Sequence, residues 1–218
     1  MRRQLVGRLV IVAAIMAAVC GSALATPTPV TLVPQGFDDL GAGSAASPIK
    51  TSDYNYNNTF TGHITSQAFN LDDGRHLYLY QADNVGPSAL EVLGVAPFYG
   101  LDLDAVNVAG YLSSGEPTGF LAGGYAPAGG AYDAGLAEPG MSFAYPGYLG
   151  WYVPAGKHTR VEYLISPYAP TTSEAFVIDT GVATGDVVGP MPEPATMALL
   201  GMGGIMMLAV RVRRHLRA

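Results

Sequence analysis

Apolar and polar residues alternate in short bursts along the middle of the chain and fuse into unbroken apolar runs near both ends. In TFTGHITSQAF, Phe60, Ile64 and Ala68 share one parity while Thr61, His63 and Thr65 take the other. That period of two marks a strand with one buried face. RHLYLYQ alternates Leu77 and Leu79 against His76, Tyr78 and Tyr80 in the same way. ALEVLGVAPFYG predicts a further strand ended by Pro97, which has no amide to give a ladder. YLGWYV and HTRVEYLI flank Pro154-Ala155-Gly156-Lys157 and predict a hairpin with a four-residue loop, and EAFVIDTG predicts a last strand. No stretch carries a convincing helical period, and no repeat has a fixed length. Short strands with Gly/Pro turns predict an all-β body, an antiparallel β-sandwich or jelly-roll-like domain, over residues 59–190.

Two stretches break the alternation. Residues 26–58 are punctuated by Pro, Gly, Ser and Ala and predict an irregular lead-in. Residues 110–140, rich in Gly, Ala and Pro with tyrosines spaced along them, predict a long surface loop or a run of short edge strands.

The apolar ends read as processing signals. Arg2, Arg3 and Arg8 precede the unbroken run Leu9 to Val19, and Ala23-Leu24-Ala25 has the A-x-A form of a signal-peptide cleavage site. Prolines in TPTPVT just beyond it stop any continuing helix. Residues 1–25 are therefore expected to be removed by signal peptidase. Cys20, the single cysteine, follows Val19 instead of the Gly or Ala a lipid-attachment site wants, so it leaves with the signal and the mature chain has no disulfide. At the other end, Ala195 to Val210 is 16 residues, about 24 Å as a helix. Met191 before it and snorkelling arginines after it extend that towards the ~30 Å of a hydrocarbon core. Its apolar residues lie all round, unlike a helix packed on a soluble core. Arg211, Arg213, Arg214 and Arg217 place its far end in the cytoplasm and the body on the outer side of the cytoplasmic membrane.

Pro192-Glu193-Pro194, the following ATMALLG, the glycine-interrupted apolar run and the terminal arginines closely resemble the PEP-CTERM sorting signal of Gram-negative bacteria. The resemblance covers Met191 to Ala218. It implies recognition by an exosortase, cleavage near Pro-Glu-Pro, and release or transfer to the envelope. It also implies association with exopolysaccharide and biofilm material. It is an address, and leaves the cargo undefined.

Charge narrows the partners. Residues 26–191 hold four Lys/Arg against sixteen Asp/Glu, a net charge of −12. Such a surface repels phosphate backbones, so nucleic acid is not an expected partner. All 13 Tyr, all 7 Phe and Trp151 also lie in this middle stretch, which argues for a packed core and against a disordered spacer.

Candidate chemistry is sparse. His63, His76 and His158 follow no H-x-x-x-H, H-x-H or H-E-x-x-H spacing, and there is no G-x-S-x-G. No catalytic residue, resident metal or cofactor is expected. Asp38-Asp39, Asp72-Asp73-Gly74 and Asp102 with Asp104 offer oxygen ligands for Ca²⁺, but none has calcium-loop spacing, and turn geometry alone accounts for Asp-Gly between strands. Tyr54, Tyr56, Tyr125, Tyr132, Tyr145, Tyr148 and Tyr152 around Trp151 could build a sugar-stacking face, with Trp151, Tyr148 and Tyr152 as its centre. The favoured reading is the general use of tyrosine in β-sandwiches, with the ring buried and the hydroxyl wet. The expected role is structural or adhesive, in exopolysaccharide material outside the cell. A carbohydrate-binding module is the alternative, and a hydrolase or lyase acting on exopolysaccharide the more distant one.

Overall fold

The computed structural model describes residues 26–134, 138–145, 152–179 and 181–191. In chain order its strands are β1 (Thr28–Val30), β2 (Val33–Gly36), β3 (Ala42–Ala45), β4 (Lys50–Tyr56), β5 (Phe60–Leu71), β6 (His76–Asn84) and β7 (Val92–Ala96). They continue as β8 (Ala109–Ser114), β9 (Gly129–Asp133), β10 (Gly140–Ala144), β11 (Lys157–His158), β12 (Glu162–Ser166), β13 (Pro170–Ile178) and β14 (Val182–Pro190). One sheet has the order β1-β9-β10-β7-β13-β14. The other runs β2-β8-β12-β6-β5-β3, with β4 also on β5 and β11 also on β6. All pairings are antiparallel except β2 with β8. The all-β sandwich expected from the alternation is the observed architecture.

The main core lies between the sheets. Phe60, Ile64, Tyr78, Tyr80 and Leu164 face Leu93, Val95, Met141, Phe143, Val177 and Val187 across it. β5 presents the predicted parity: Phe60, Ile64 and Ala68 are buried while His63 is exposed. On β6 both parities are buried, because the chain after β2 crosses the outer face of the second sheet. Phe37 and Leu40 from that crossing, with Phe120 from a later loop, cover Leu77, Leu79, Leu112, Tyr163 and Ile165 in a second apolar layer. Phe37 meets Phe69 edge-on, ring centroids 5.1 Å apart.

Tyrosine supplies polar ends inside these cores. Tyr54, Tyr78, Tyr80, Tyr132 and Tyr163 donate to the carbonyls of Asp83, Tyr168, Val188, Phe98 and Val33 at 2.6–3.2 Å. Burial raises the pKa of each phenol, so all five stay protonated donors at any ordinary pH. Tyr54 reaches Asp83 only because Gly62 lies beneath it; a Cβ there would stand 1.9 Å from Asp83 O and 2.5 Å from the Tyr54 hydroxyl.

Several expectations need correction. Residues 26–58 hold four strands instead of an irregular lead-in: β1 and β2 are short edge strands, and β3 and β4 together line β5. Prolines in β1 and β2 and half-exposed side chains hide the period of two. Residues 110–140 contain β9 and nearly all of β8, and both pair on two sides. The turn at Pro154–Lys157 exists, its Lys157 amide donating to Pro154 O at 3.1 Å, but it does not close the predicted hairpin. Val153 pairs with Leu90, and β12 pairs with β6 and β8. EAFVIDTG lies largely in β13, and β14 follows it as the last strand. The apolar run 195–210 lies outside the described residues; among those described, no helix is long and apolar enough to cross a membrane.

Phe143 is fully buried at the centre of the main core. Phe143→Ala is expected to destabilise residues 26–191 by about 3–5 kcal/mol, or roughly 10 °C in Tm, read by urea and thermal unfolding.

Candidate functional site

Two polar constellations meet at the end of the sandwich where β6 and β12 approach the 154–157 turn. The first is internal. Glu162 opens β12 with its side chain on the parity that faces the main core, and it is 0 % exposed. Its carboxyl receives the Tyr145 hydroxyl on one oxygen and the Thr159 hydroxyl, at 3.2 Å, on the other. Thr159 Oγ1 in turn accepts the Ala82 amide at 3.0 Å. Burial drives the Glu162 pKa well above that of a free carboxyl, since two hydroxyls replace much less than a water shell. Val161-Glu162-Tyr163-Leu164-Ile165 is the signal that sequence reasoning passed over: a charged residue inside an apolar run with no polar partner parity implies burial on both faces.

Beside it, Gln81 acts as a side-chain bridge. Its Oε1 accepts the Leu121 amide at 2.8 Å, and its Nε2 donates to Leu121 O at 2.8 Å and Thr159 O at 3.0 Å. This docks the loop after β8 onto β6. The loop passes so close that a Cβ on Gly124 (φ +98°) would stand 2.4 Å from Thr159 O, and only glycine fits. Asn84, fully buried, donates to Ser88 O and Val153 O and so fixes the other flank.

The second constellation is external. Cross-strand register aligns Asp53, His63, Asp83 and His158 in one row over β4, β5, β6 and β11, on the sheet face away from the main core. His63 Nδ1 lies 2.7 Å from Asp53 Oδ1. His158 Nδ1 lies 3.2 Å from Gln81 Nε2 and 2.9 Å from Thr159 O. One strand step below, Thr51 and Thr65 share a hydroxyl contact of 3.2 Å. Such a row presents hydrogen-bonding groups of both kinds on one sheet face. Among the described residues, no three His, Cys, Asp or Glu side chains converge as a metal centre.

The structure distributes the predicted aromatic face. Tyr54, Tyr132 and Tyr145 are buried and belong to the core, so they are unavailable for stacking. Tyr56, Tyr125 and Tyr152 are surface residues, 36–39 % exposed. Tyr125 bridges to Thr159 at the margin of the polar row, and Tyr152 precedes the Val153 bridge to Leu90. Trp151 and Tyr148 lie outside the described residues, as do Ala23, Ala25, Pro192, Glu193, Pro194, Arg211, Arg213, Arg214 and Arg217. Of the acidic clusters, Asp72-Asp73-Gly74 forms the β5–β6 turn. There Arg75 bonds the Asp73 carboxylate and holds its pKa below the usual range. Asp102 Oδ1 accepts the Asp104 amide, a second turn, and Asp38-Asp39 lie in a 3₁₀ turn.

Open cavities lie elsewhere. One of 530 Å³ is walled by residues 28–31, Val33 and 103–108, and another of 430 Å³ by 46–50, 170–172 and Val188. The first holds a single carboxylate, Asp104, and the second a single amine, Lys50.

The buried carboxyl generates a pH prediction. Below the ordinary carboxyl pKa, folded and unfolded states both hold the Glu162 proton. Above it the unfolded chain releases the proton while the folded chain keeps it, so this residue lowers stability as pH rises towards its folded pKa. Glu162→Gln keeps the shape and removes the titration. The variant is expected to melt higher than the parent at pH 8, with the gap closing by pH 4, in thermal unfolding across pH.

Comparison with known proteins adds one finding. Residues 192–214 match the family model for the PEP-CTERM protein-sorting motif. No curated protein and no solved structure matches the chain. A β-sandwich therefore ends in the PEP-CTERM sorting motif of an exosortase-targeted, exported protein.

Proposed function

We propose that the mature body is a non-catalytic structural or adhesive component of exopolysaccharide material, delivered outside the cell by signal peptidase and exosortase. The observation that carries this reading is where the sorting motif starts. Pro190 ends β14, Met191 follows, and the motif begins at Pro192. A cut near Pro-Glu-Pro thus leaves every described strand in the released part. The acidic body, −12 between residues 26 and 191, favours dispersal in water over adhesion to anionic membrane surfaces. A non-catalytic role is supported by Glu162, the most buried carboxyl among the described residues, being enclosed by Tyr145 and Thr159.

The expected distribution of native protein is surface or matrix fractions, with a minor precursor in the cytoplasmic membrane. Immunoblotting of cytoplasmic-membrane, surface-matrix and medium fractions checks it. Protein found wholly in the cytoplasmic membrane contradicts it.

A carbohydrate-binding role is the second reading, favoured by the Asp53–His63–Asp83–His158 row with Tyr125 at its margin. Its negative charge suits neutral glycans better than anionic ones. Retention on neutral glycan columns is expected to fall about tenfold, the 1.4 kcal/mol of one stacked ring, in Tyr125→Ala or Trp151→Ala. No retention of the parent protein on any glycan ends this reading.

A further inference from the structure

β14 is an edge strand, bonded by β13 on one side only. Its outward N–H and C=O groups would ordinarily face water and fray from the end. Here they are taken up by side chains of the opposite sheet. Ser52 Oγ donates to Asp186 O at 2.6 Å. Two positions on, the Val188 amide donates to Ser66 Oγ at 3.0 Å, and Val188 O accepts the Tyr80 hydroxyl at 2.8 Å. Ser66 and Tyr80 are Cα partners on β5 and β6, and both are fully buried. A serine and a tyrosine thus grip both polar groups of one backbone unit through the middle of the sandwich.

The grip lies at a particular place. After Val188 the chain makes two more pairings, Gly189 with Thr171 and Pro190 with Pro170, and past the strand the Met191 amide donates to Ala169 O at 3.4 Å. The sorting motif starts at the next residue. Gly185 and Gly189 make this strand intrinsically loose, and Pro190 donates no bond, so propensity does not hold it. A peptidase takes its substrate as an extended, unpaired segment, which a strand locked on both edges cannot supply.

We propose that Ser66 and Tyr80 set the upstream limit of tail processing. By locking Val188 they keep β14 paired while the sorting enzyme holds the tail, so the cut falls beyond Met191 and the released body keeps its complete last strand. This rests on the exosortase reading above. In the cleavage one peptide C–N bond breaks; for release, water supplies hydroxyl to the carbonyl carbon and a proton to the departing nitrogen.

The test uses the full chain expressed in an exosortase-bearing host, with intact mass and amide exchange of the exported body. The parent is expected to show one C-terminus, at or beyond Met191. The Ser66→Ala/Tyr80→Phe variant is expected to show C-termini spreading into residues 185–190. Its amides at 186–191 should exchange on the order of tenfold faster, with β6 and β12 unchanged. Ser66→Ala alone supplies the same comparison if the double variant does not accumulate. A parent protein ending within 182–190 overturns the proposal, as does a variant with parental C-terminus and exchange. A parent that keeps every residue to Ala218 in all fractions overturns the processing reading and this proposal with it.

Discussion

The fold depends on a bond between a phenol and a backbone carbonyl, repeated through the interior. A sandwich of short strands leaves many carbonyls at strand ends and edges without ladder partners, and burying one unpaired costs about 1–3 kcal/mol. Tyrosine answers both needs at once: the ring fills the core and the hydroxyl ends on the carbonyl. Tyr80 does this for the last strand, Tyr78 for the chain entering β13, Tyr163 for the entry of β2, and Tyr54 for β6. With Cys20 the only cysteine of the sequence, no disulfide within the chain shares the task. Hydrogen bonds from within the core replace covalent staples.

The same logic explains how edges are treated. β1 and β2 contain Pro29 and Pro34, which discourage further strands from adding. The β14 edge is bonded from inside by Ser52, Ser66 and Tyr80. An exported protein gains from closed edges, because each open one is a template for aggregation. The sorting motif then begins at Pro192, two residues after the last residue of this sealed strand.

What the sequence made legible follows from how strongly each residue obeys a single rule. β5 could be read because Phe60, Ile64 and Ala68 alternate cleanly with Thr61, His63 and Thr65. The stop at Pro97 and the Asp72–Gly74 turn could be read from local backbone chemistry. β1 to β4 could not, because edge strands carry Pro, Gly and half-exposed residues whose pattern resembles loop. β14 was missed for a related reason: Gly185 and Gly189 lie where Ser52 and Ser173 come close, so side chains are absent where a strand would show them. The false hairpin around Pro154 arose because turn residues fix a bend without choosing partners. The burial of Glu162 could be read from its apolar run, but its Tyr145 partner and the Asp53–His63–Asp83–His158 row depend on contacts between distant segments, which no local window contains. The sorting signal, a contiguous motif, was wholly legible.

The central claim is that hydroxyl-to-carbonyl bonds, and not the aromatic rings alone, hold the sheets in place. Urea unfolding of residues 26–191 bearing single Tyr→Phe changes tests it most directly, since only the hydroxyl is lost. Changes at Tyr54, Tyr78, Tyr80 and Tyr163 are predicted to destabilise by about 1–3 kcal/mol each, and changes at the exposed Tyr56 and Tyr125 by less than about 0.5 kcal/mol. Equal, near-zero effects in both sets would contradict the account.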